Sequence, residues 1–146
     1  MITMITPDDW KSEFIQRHRV ARLATVGAKG QPHVVPIVYA YDGERLYTPI
    51  DEKPKKVGAT RLRRVRDIQE NPAAAVVIDD YREDWEQLAW VQVRGTARIL
   101  TEGEQYTAGL GLLMAKYSQY EDMPLHGRPL IAMAIEEVVG WRARGD

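Results

Sequence analysis

Apolar and polar positions change rhythm along this chain, and each change marks a new element. Thr6-Pro7-Asp8-Asp9 reads as a helix start: a hydroxyl cap, proline at the first helical position, then acid in the first turn. Trp10 and Phe14, four residues apart, give that short helix one apolar face. From Val20 the period becomes that of a strand. Val20–Val26 runs into the turn Gly27-Ala28-Lys29-Gly30, and Pro32–Tyr41 follows. Asp42-Gly43 then closes a hairpin onto Arg45–Ile50. Val57 to Glu70 returns to helical spacing and is halted by Asn71-Pro72. Ala73–Asp79 is almost continuously apolar, which predicts a strand buried on both faces. A loop of acids and aromatics (Tyr81, Glu83, Asp84, Trp85, Glu86) leads to a long strand, Leu88–Leu100. Glu102–Tyr117 is helical, with Leu110, Leu113 and Tyr117 in register. Leu130–Val139 is a last strand before a tail holding Trp141.

The order is therefore helix, three strands, helix, two strands, helix, strand, with no repeat, linker or low-complexity stretch. Six strands joined by short turns favour an antiparallel barrel over a parallel sheet, which needs long crossovers. The expectation is a mainly β fold with flanking helices, a six-stranded antiparallel barrel, closed or nearly so. At 146 residues it forms one domain over residues 1–146.

Composition narrows the function. A formal net charge of −1 gives the whole molecule no pull towards nucleic acid or anionic membrane, so any anion site is local. Cysteine is absent, which removes disulfides, thiolate metal sites and cysteine nucleophiles. Met1 to Pro7 lacks the basic start and apolar run of a signal peptide, and no stretch approaches the ~20 apolar residues of a membrane span. A cytoplasmic protein is expected.

Against that balance, Lys53 to Arg66 stands out. It holds seven basic residues (Lys53, Lys55, Lys56, Arg61, Arg63, Arg64, Arg66) and no acid. It lies where a strand gives way to a helix, a junction whose free N–H groups and dipole favour an anion. Lys53 and Lys55, two apart in extended chain, point to one side. A phosphate site and a solvated basic face are both open readings. At about 100° per residue, Val57, Gly58, Leu62, Val65 and Ile68 share the core-facing sector. Arg63, Arg64 and Arg66 fall outside it and are expected in solvent, whereas Arg61 falls inside. A core-facing guanidinium needs an anionic partner, either a ligand phosphate or a carboxylate such as Asp51 or Asp79.

Two strand faces also attract attention. Val34, Pro36 and Val38 form a small, flat face around a proline that forfeits a ladder bond; it suits a planar ring or an ordinary edge strand. In Leu88–Leu100, Val91, Val93, Gly95, Ala97 and Ile99 form the core set. The alternate set, Trp90, Gln92, Arg94, Thr96 and Arg98, is too aromatic for plain solvent and faces a partner subunit or a ligand, with Trp85 nearby. His18, His33 and His126 are scattered, without a carboxylate at metal-ligand spacing, and Ser12 and Ser118 lack a nucleophile context. Chemistry here would be borrowed from a cofactor.

Arg22-Leu23-Ala24-Thr25-Val26, Gly30-Gln31-Pro32-His33-Val34-Val35-Pro36, Tyr47-Thr48, Asp51-Glu52-Lys53-Pro54-Lys55 and Asn71-Pro72, in that order and spacing, resemble the pyridoxamine 5′-phosphate oxidase-like superfamily of split β-barrels. Within it the pattern is similar to the branch of deazaflavin (coenzyme F-420)-dependent oxidoreductases. The resemblance covers roughly residues 7–142. It implies a split barrel of the FMN-binding type that forms a homodimer with cofactor sites between subunits. It also implies a ring seated on Val34–Val38 and a phosphate held by Thr48, Lys53 and Lys55. One departure, Pro54 in place of a second phosphate-binding base, argues against tight FMN binding. The substrate-binding residues of true pyridoxamine phosphate oxidases have no match, which argues against vitamin B6 synthesis.

The expected activity is hydride transfer from reduced coenzyme F-420 to a small conjugated substrate. Alternatives are an FMN-dependent oxidoreductase and a non-catalytic carrier of flavin, deazaflavin or haem. The candidate cofactor-binding residues are Val34, Pro36, Val38, Thr48, Lys53, Lys55, Arg61, Trp85, Trp90 and Arg94; no metal site and no nucleic-acid partner are expected.

Overall fold

In the computed structural model, which describes residues 9–50 and 62–144, the first helix starts at Asp9, not Thr6. The Asp9 carboxylate accepts from the Lys11 amide at 2.8 Å and caps α1 (Trp10–Arg17); Thr6, Pro7 and Asp8 lie outside the described residues. Phe14 and Ile15 turn inward, and the His18 ring stacks on Phe14 at 3.9 Å.

The strands are β1 (Ala21–Val26), β2 (Pro32–Ile37), β3 (Ala40–Tyr41), β4 (Arg45–Pro49), β5 (Ala73–Asp80), β6 (Ala89–Leu100) and β7 (Leu130–Arg142). Each ladder is antiparallel, and the order across the sheet is β2-β1-β5-β6-β7-β4-β3. The described residues form seven strands where six were expected, because the single strand read over Pro32–Tyr41 breaks at Val38-Tyr39. Tyr39 is wholly buried, and its N–H and C=O both meet the Tyr117 hydroxyl, at 3.2 and 3.0 Å, in place of a neighbouring strand. The chain turns a corner there. Residues 37 and 40 thus stand at opposite ends of one sheet, which curls until its two ends approach. That is the split barrel.

Inside the curl, Leu23, Val76, Ile78, Val91, Val93, Ile131 and Met133 meet Phe14 and Ile15 of α1 and Val65 and Ile68 of α2 (Arg63–Glu70). On the outer side, α3 (Glu104–Lys116) lays Tyr106, Leu110 and Leu113 over Ala40, Tyr47, Leu130 and Ala132. Alternation along β4 and β7 sends neighbouring side chains into these two different cores. No described helix covers the outer face of β1, β5 and β6. The expectation of a doubly buried Ala73–Asp79 is corrected accordingly: Ala74, Val76 and Ile78 are buried, while Ala75 and Val77 on the bare side stay half-exposed.

Two further details depart from the sequence reading. β7 runs past Val139 to Arg142, so Trp141 lies in the sheet rather than in a tail. The helix read over Val57 to Glu70 begins, within the described residues, at the cap Leu62. Its docking onto β1 is polar as well as apolar. The buried Asp67 carboxylate accepts from the Thr25 hydroxyl at 2.8 Å and from Arg63 Nε at 3.1 Å. Midway along β6 the register with β7 slips at Arg94/Gly95, a bulge that brings the strands very close; a Cβ on Gly95 would sit 1.9 Å from the Ala134 carbonyl oxygen.

Candidate active site

Where the two ends of the sheet approach, a cleft of about 270 Å³ opens, lined by Val20, Pro36, Ile37, Val38, Thr48, Pro49 and Arg64. Pro36 and Ile37 come from β2, Val38 from the corner, and Thr48 and Pro49 from β4 on the opposite end. Proline and branched aliphatic carbon make up most of the wall. The residues with polar side chains among the described lining are Thr48 and Arg64, only 5% and 6% exposed. No acid is among the described lining residues. An apolar wall with one buried hydroxyl and one buried cation suits a planar ring carrying an anionic substituent.

Of the ten candidate residues, the fold brings Pro36, Val38 and Thr48 together here. Val34 shares the Pro36 side of β2 but stands 61% exposed beyond the cleft. Lys53, Lys55 and Arg61 lie outside the described residues, as does Asp51, one of the two carboxylates considered for Arg61; the other, Asp79, pairs with Arg22 at 2.9 Å. Trp85, Trp90 and Arg94 do not line the cleft within the single chain. Trp90 and Arg94 lie on the bare outer face of β6, where Arg94 pairs with Glu137, and Trp85 sits 67% exposed on a short 3₁₀ turn with its indole N–H 3.4 Å from the Tyr81 hydroxyl.

Arg64 is the correction that matters most. Its sector had been assigned to solvent, yet it is buried and reaches the cleft. Within α2 it precedes Asp67 by three residues and Ile68 by four, so all three share one side of the helix. Arg63 and Arg66 are both exposed as expected, Arg63 with its guanidinium against Asp67.

Three groups with displaced pKa values, Lys116, Tyr39 and Tyr117, lie next to residues that line the cleft without lining it themselves. Burial, with a lesser push from Arg19, lowers Lys116 to about 8. Burial raises Tyr39 and Tyr117 above the usual phenol range, Tyr39 strongly. No cluster of His, Asp or Glu able to hold a metal ion occurs among the described residues.

The family described as pyridoxamine 5′-phosphate oxidase matches residues 8–142. The chain belongs to this family. A relative in Streptomyces rimosus, a 5a,11a-dehydrotetracycline/5a,11a-dehydrooxytetracycline reductase, is 32% identical over 124 residues, covering 84% of this chain and 80% of its own. Among solved structures, a conserved hypothetical protein of Mycobacterium tuberculosis superposes with a TM-score of 0.74 at 20% identity, covering 97% of this chain and 88% of that one. HutZ, a haem storage protein of Vibrio cholerae, gives 0.71 at 16% identity, covering 94% and 95%. These likenesses show the family's fold: a mainly β, antiparallel curled sheet with flanking helices. They leave the cofactor to be argued from the cleft.

Proposed function

We propose that this member of the family is a reductase that uses reduced coenzyme F-420 and acts on a small conjugated substrate. The observation that carries this is the cleft itself, walled largely by proline and branched aliphatic residues together with buried Thr48 and Arg64. The reductase from Streptomyces rimosus, alike over most of both chains, supports the reaction class.

When bound, the reduced deazaflavin would supply a hydride. The chain's own residues would bind and orient. Pro36 and Val38 offer a flat apolar surface to one face of the ring and keep water from it. Thr48 and Arg64 offer a hydroxyl donor and a cation to a phosphate. Lys53, Lys55 and Arg61 follow soon after Pro49 in the sequence and add positive charge suited to a polyanionic coenzyme.

A homodimer in the cytoplasm is the proposed working form. The slot in one chain is smaller than the roughly 300–1,000 Å³ of complete small-molecule sites. The bare outer face of β1, β5 and β6 begins at Pro36 through the row Pro36, Arg22, Val77, Gln92, and a second copy seated there would enlarge the site. No described helix is long and apolar enough to cross a membrane.

Fluorescence titration of the purified protein with coenzyme F-420, FMN and haem tests the reading. Binding of F-420 below about 100 μM, tighter than FMN, is expected. Preference for FMN moves the activity to the flavin alternative, exclusive haem binding makes the protein a carrier, and binding of none removes the assignment.

A further inference from the structure

The C-terminal end of α3 is laced to two of the segments that wall the cleft. Tyr117, just past the helix, places its hydroxyl at a junction of three backbone groups. It accepts from the Tyr39 amide at 3.2 Å, and its single proton lies between the Arg19 carbonyl at 2.7 Å and the Tyr39 carbonyl at 3.0 Å. Arg19 directly precedes Val20, and Tyr39 directly follows Val38. Val20 and Val38 both line the cleft, so one hydroxyl ties both of these lining segments.

Neighbouring bonds reinforce the tie. Lys116 Nζ donates to the His18 carbonyl at 2.6 Å, and the Arg19 guanidinium donates back to the Lys116 carbonyl at 2.7 Å, closing the helix end. The Tyr39 hydroxyl donates to the Ile15 carbonyl at 2.6 Å, anchoring the same corner to α1. Val38 and Tyr39 lie between β2 and β3, so no ladder fixes them. The Tyr117 hydroxyl stands in for the missing strand.

The geometry points to Tyr117 as a positioning residue of the cleft, holding Val20 and Val38 at the separation that the ligand's ring needs. This rests on the coenzyme-binding reading above. It adds a role for a residue remote from the ligand, since Tyr117 does not itself line the slot.

Tyr117→Phe tests it, with Tyr106→Phe as the matched control. Tyr106 sits near the other end of α3 and donates the same kind of bond, to the Arg128 carbonyl at 2.7 Å, away from the cleft. Both variants should lose thermal stability, Tyr117→Phe the more because it also strips the acceptor from the buried Tyr39 amide. Only Tyr117→Phe should weaken F-420 binding, by about fivefold, the equivalent of one lost net hydrogen bond. Amide hydrogen exchange, measured without ligand, should accelerate at Val20, Val38 and Tyr39 in Tyr117→Phe and remain at wild-type rates there in Tyr106→Phe. Should Tyr117→Phe not fold, Lys116→Met loosens the same latch at His18 and should accelerate exchange at Val20. Wild-type protein that binds no coenzyme overturns the functional reading, and the exchange data then judge the clamp alone. Exchange at Val20 and Val38 unchanged, or changed equally by both tyrosine variants, overturns the clamp. So does wild-type affinity in Tyr117→Phe while the parent binds F-420.

Discussion

Trp90 and Trp141 stand directly opposite each other across the β6–β7 ladder, both partly exposed on the side of the sheet that no described helix covers. With Val77 and Val139 one row away, they form an apolar surface that a monomer rarely leaves in water. Trp90→Glu should therefore convert a dimer into a folded monomer, because a carboxylate buried between copies lacks a partner. Sedimentation velocity decides the point. A wild-type chain that sediments as a stable monomer at micromolar concentration refutes the dimer.

Pro36 offers a cleaner handle on the proposed ring site. It is exposed on an end strand, so a larger side chain meets no core atom, yet it forms part of the cleft wall. Pro36→Trp should abolish coenzyme binding while far-UV and near-UV circular dichroism stay native. Native affinity in the folded variant would place the ring elsewhere.

The basic run separates in the same way. Lys55→Ala should weaken F-420 binding at least about tenfold, the equivalent of 1.4 kcal/mol, and leave apo stability unchanged or slightly raised. Arg66→Ala, exposed on α2, should change affinity only by a salt-screened fraction. Arg63 is no control, since its loss strips a partner from buried Asp67. A Lys55→Ala protein that binds normally but melts earlier makes the run structural.

How far the sequence could be read follows from where each signal resides. The Gly27–Gly30 turn, the Asp42-Gly43 hairpin and the alternation along β6 are local, and the structure keeps all of them. The Asp42 carboxylate accepts from the amides of both Glu44 and Arg45, and Gly43 holds φ at +96°. The break at Val38-Tyr39 was invisible, because the partner that permits it, Tyr117, is 78 residues away. Arg64 was misplaced for a related reason. Helical periodicity assigns faces relative to one packing surface, and α2 meets both the core and the cleft. Val20 and Pro49 joined the site only through closure of the curl. The bare outer face of β5 shows the remaining limit: composition says a residue is apolar, but only topology says whether anything covers it.

Packing at the β6–β7 bulge makes a sharp prediction. Gly95→Ala sets a methyl 1.9 Å from the Ala134 carbonyl oxygen, and backbone in a long ladder cannot yield cheaply. The cost should be about 3 kcal/mol or more, read from urea unfolding. Gly111→Ala is the contrast. Its Cβ would meet nothing within 4 Å on the exposed side of α3, so helix propensity alone should stabilise by about 0.5–1 kcal/mol.

Lys116 gives the fold an alkaline signature. Burial and Arg19 lower it from 10.5 to about 8, so between those values the unfolded chain holds a proton that the native one has released. Stability should rise with pH from about 8 towards 10 relative to Lys116→Met. Above pH 10 the raised phenols of Tyr39 and Tyr117 reverse the trend, because unfolding lets them ionise. Melting temperatures of the two proteins that stay parallel across this range would refute the assignment.

The position of β2 at one end of the sheet has a consequence for solubility. Its far edge meets no other strand among the described residues, and Val34 stands exposed on it. An open strand carrying apolar side chains is a template on which further chains can stack. N–H groups alternate sides along a strand, so Pro32, Val34 and Pro36 share one direction, and two of those three positions carry no hydrogen to donate. The proline in the cleft wall thus also interrupts the row of donors through which one molecule could recruit the next into an aggregate.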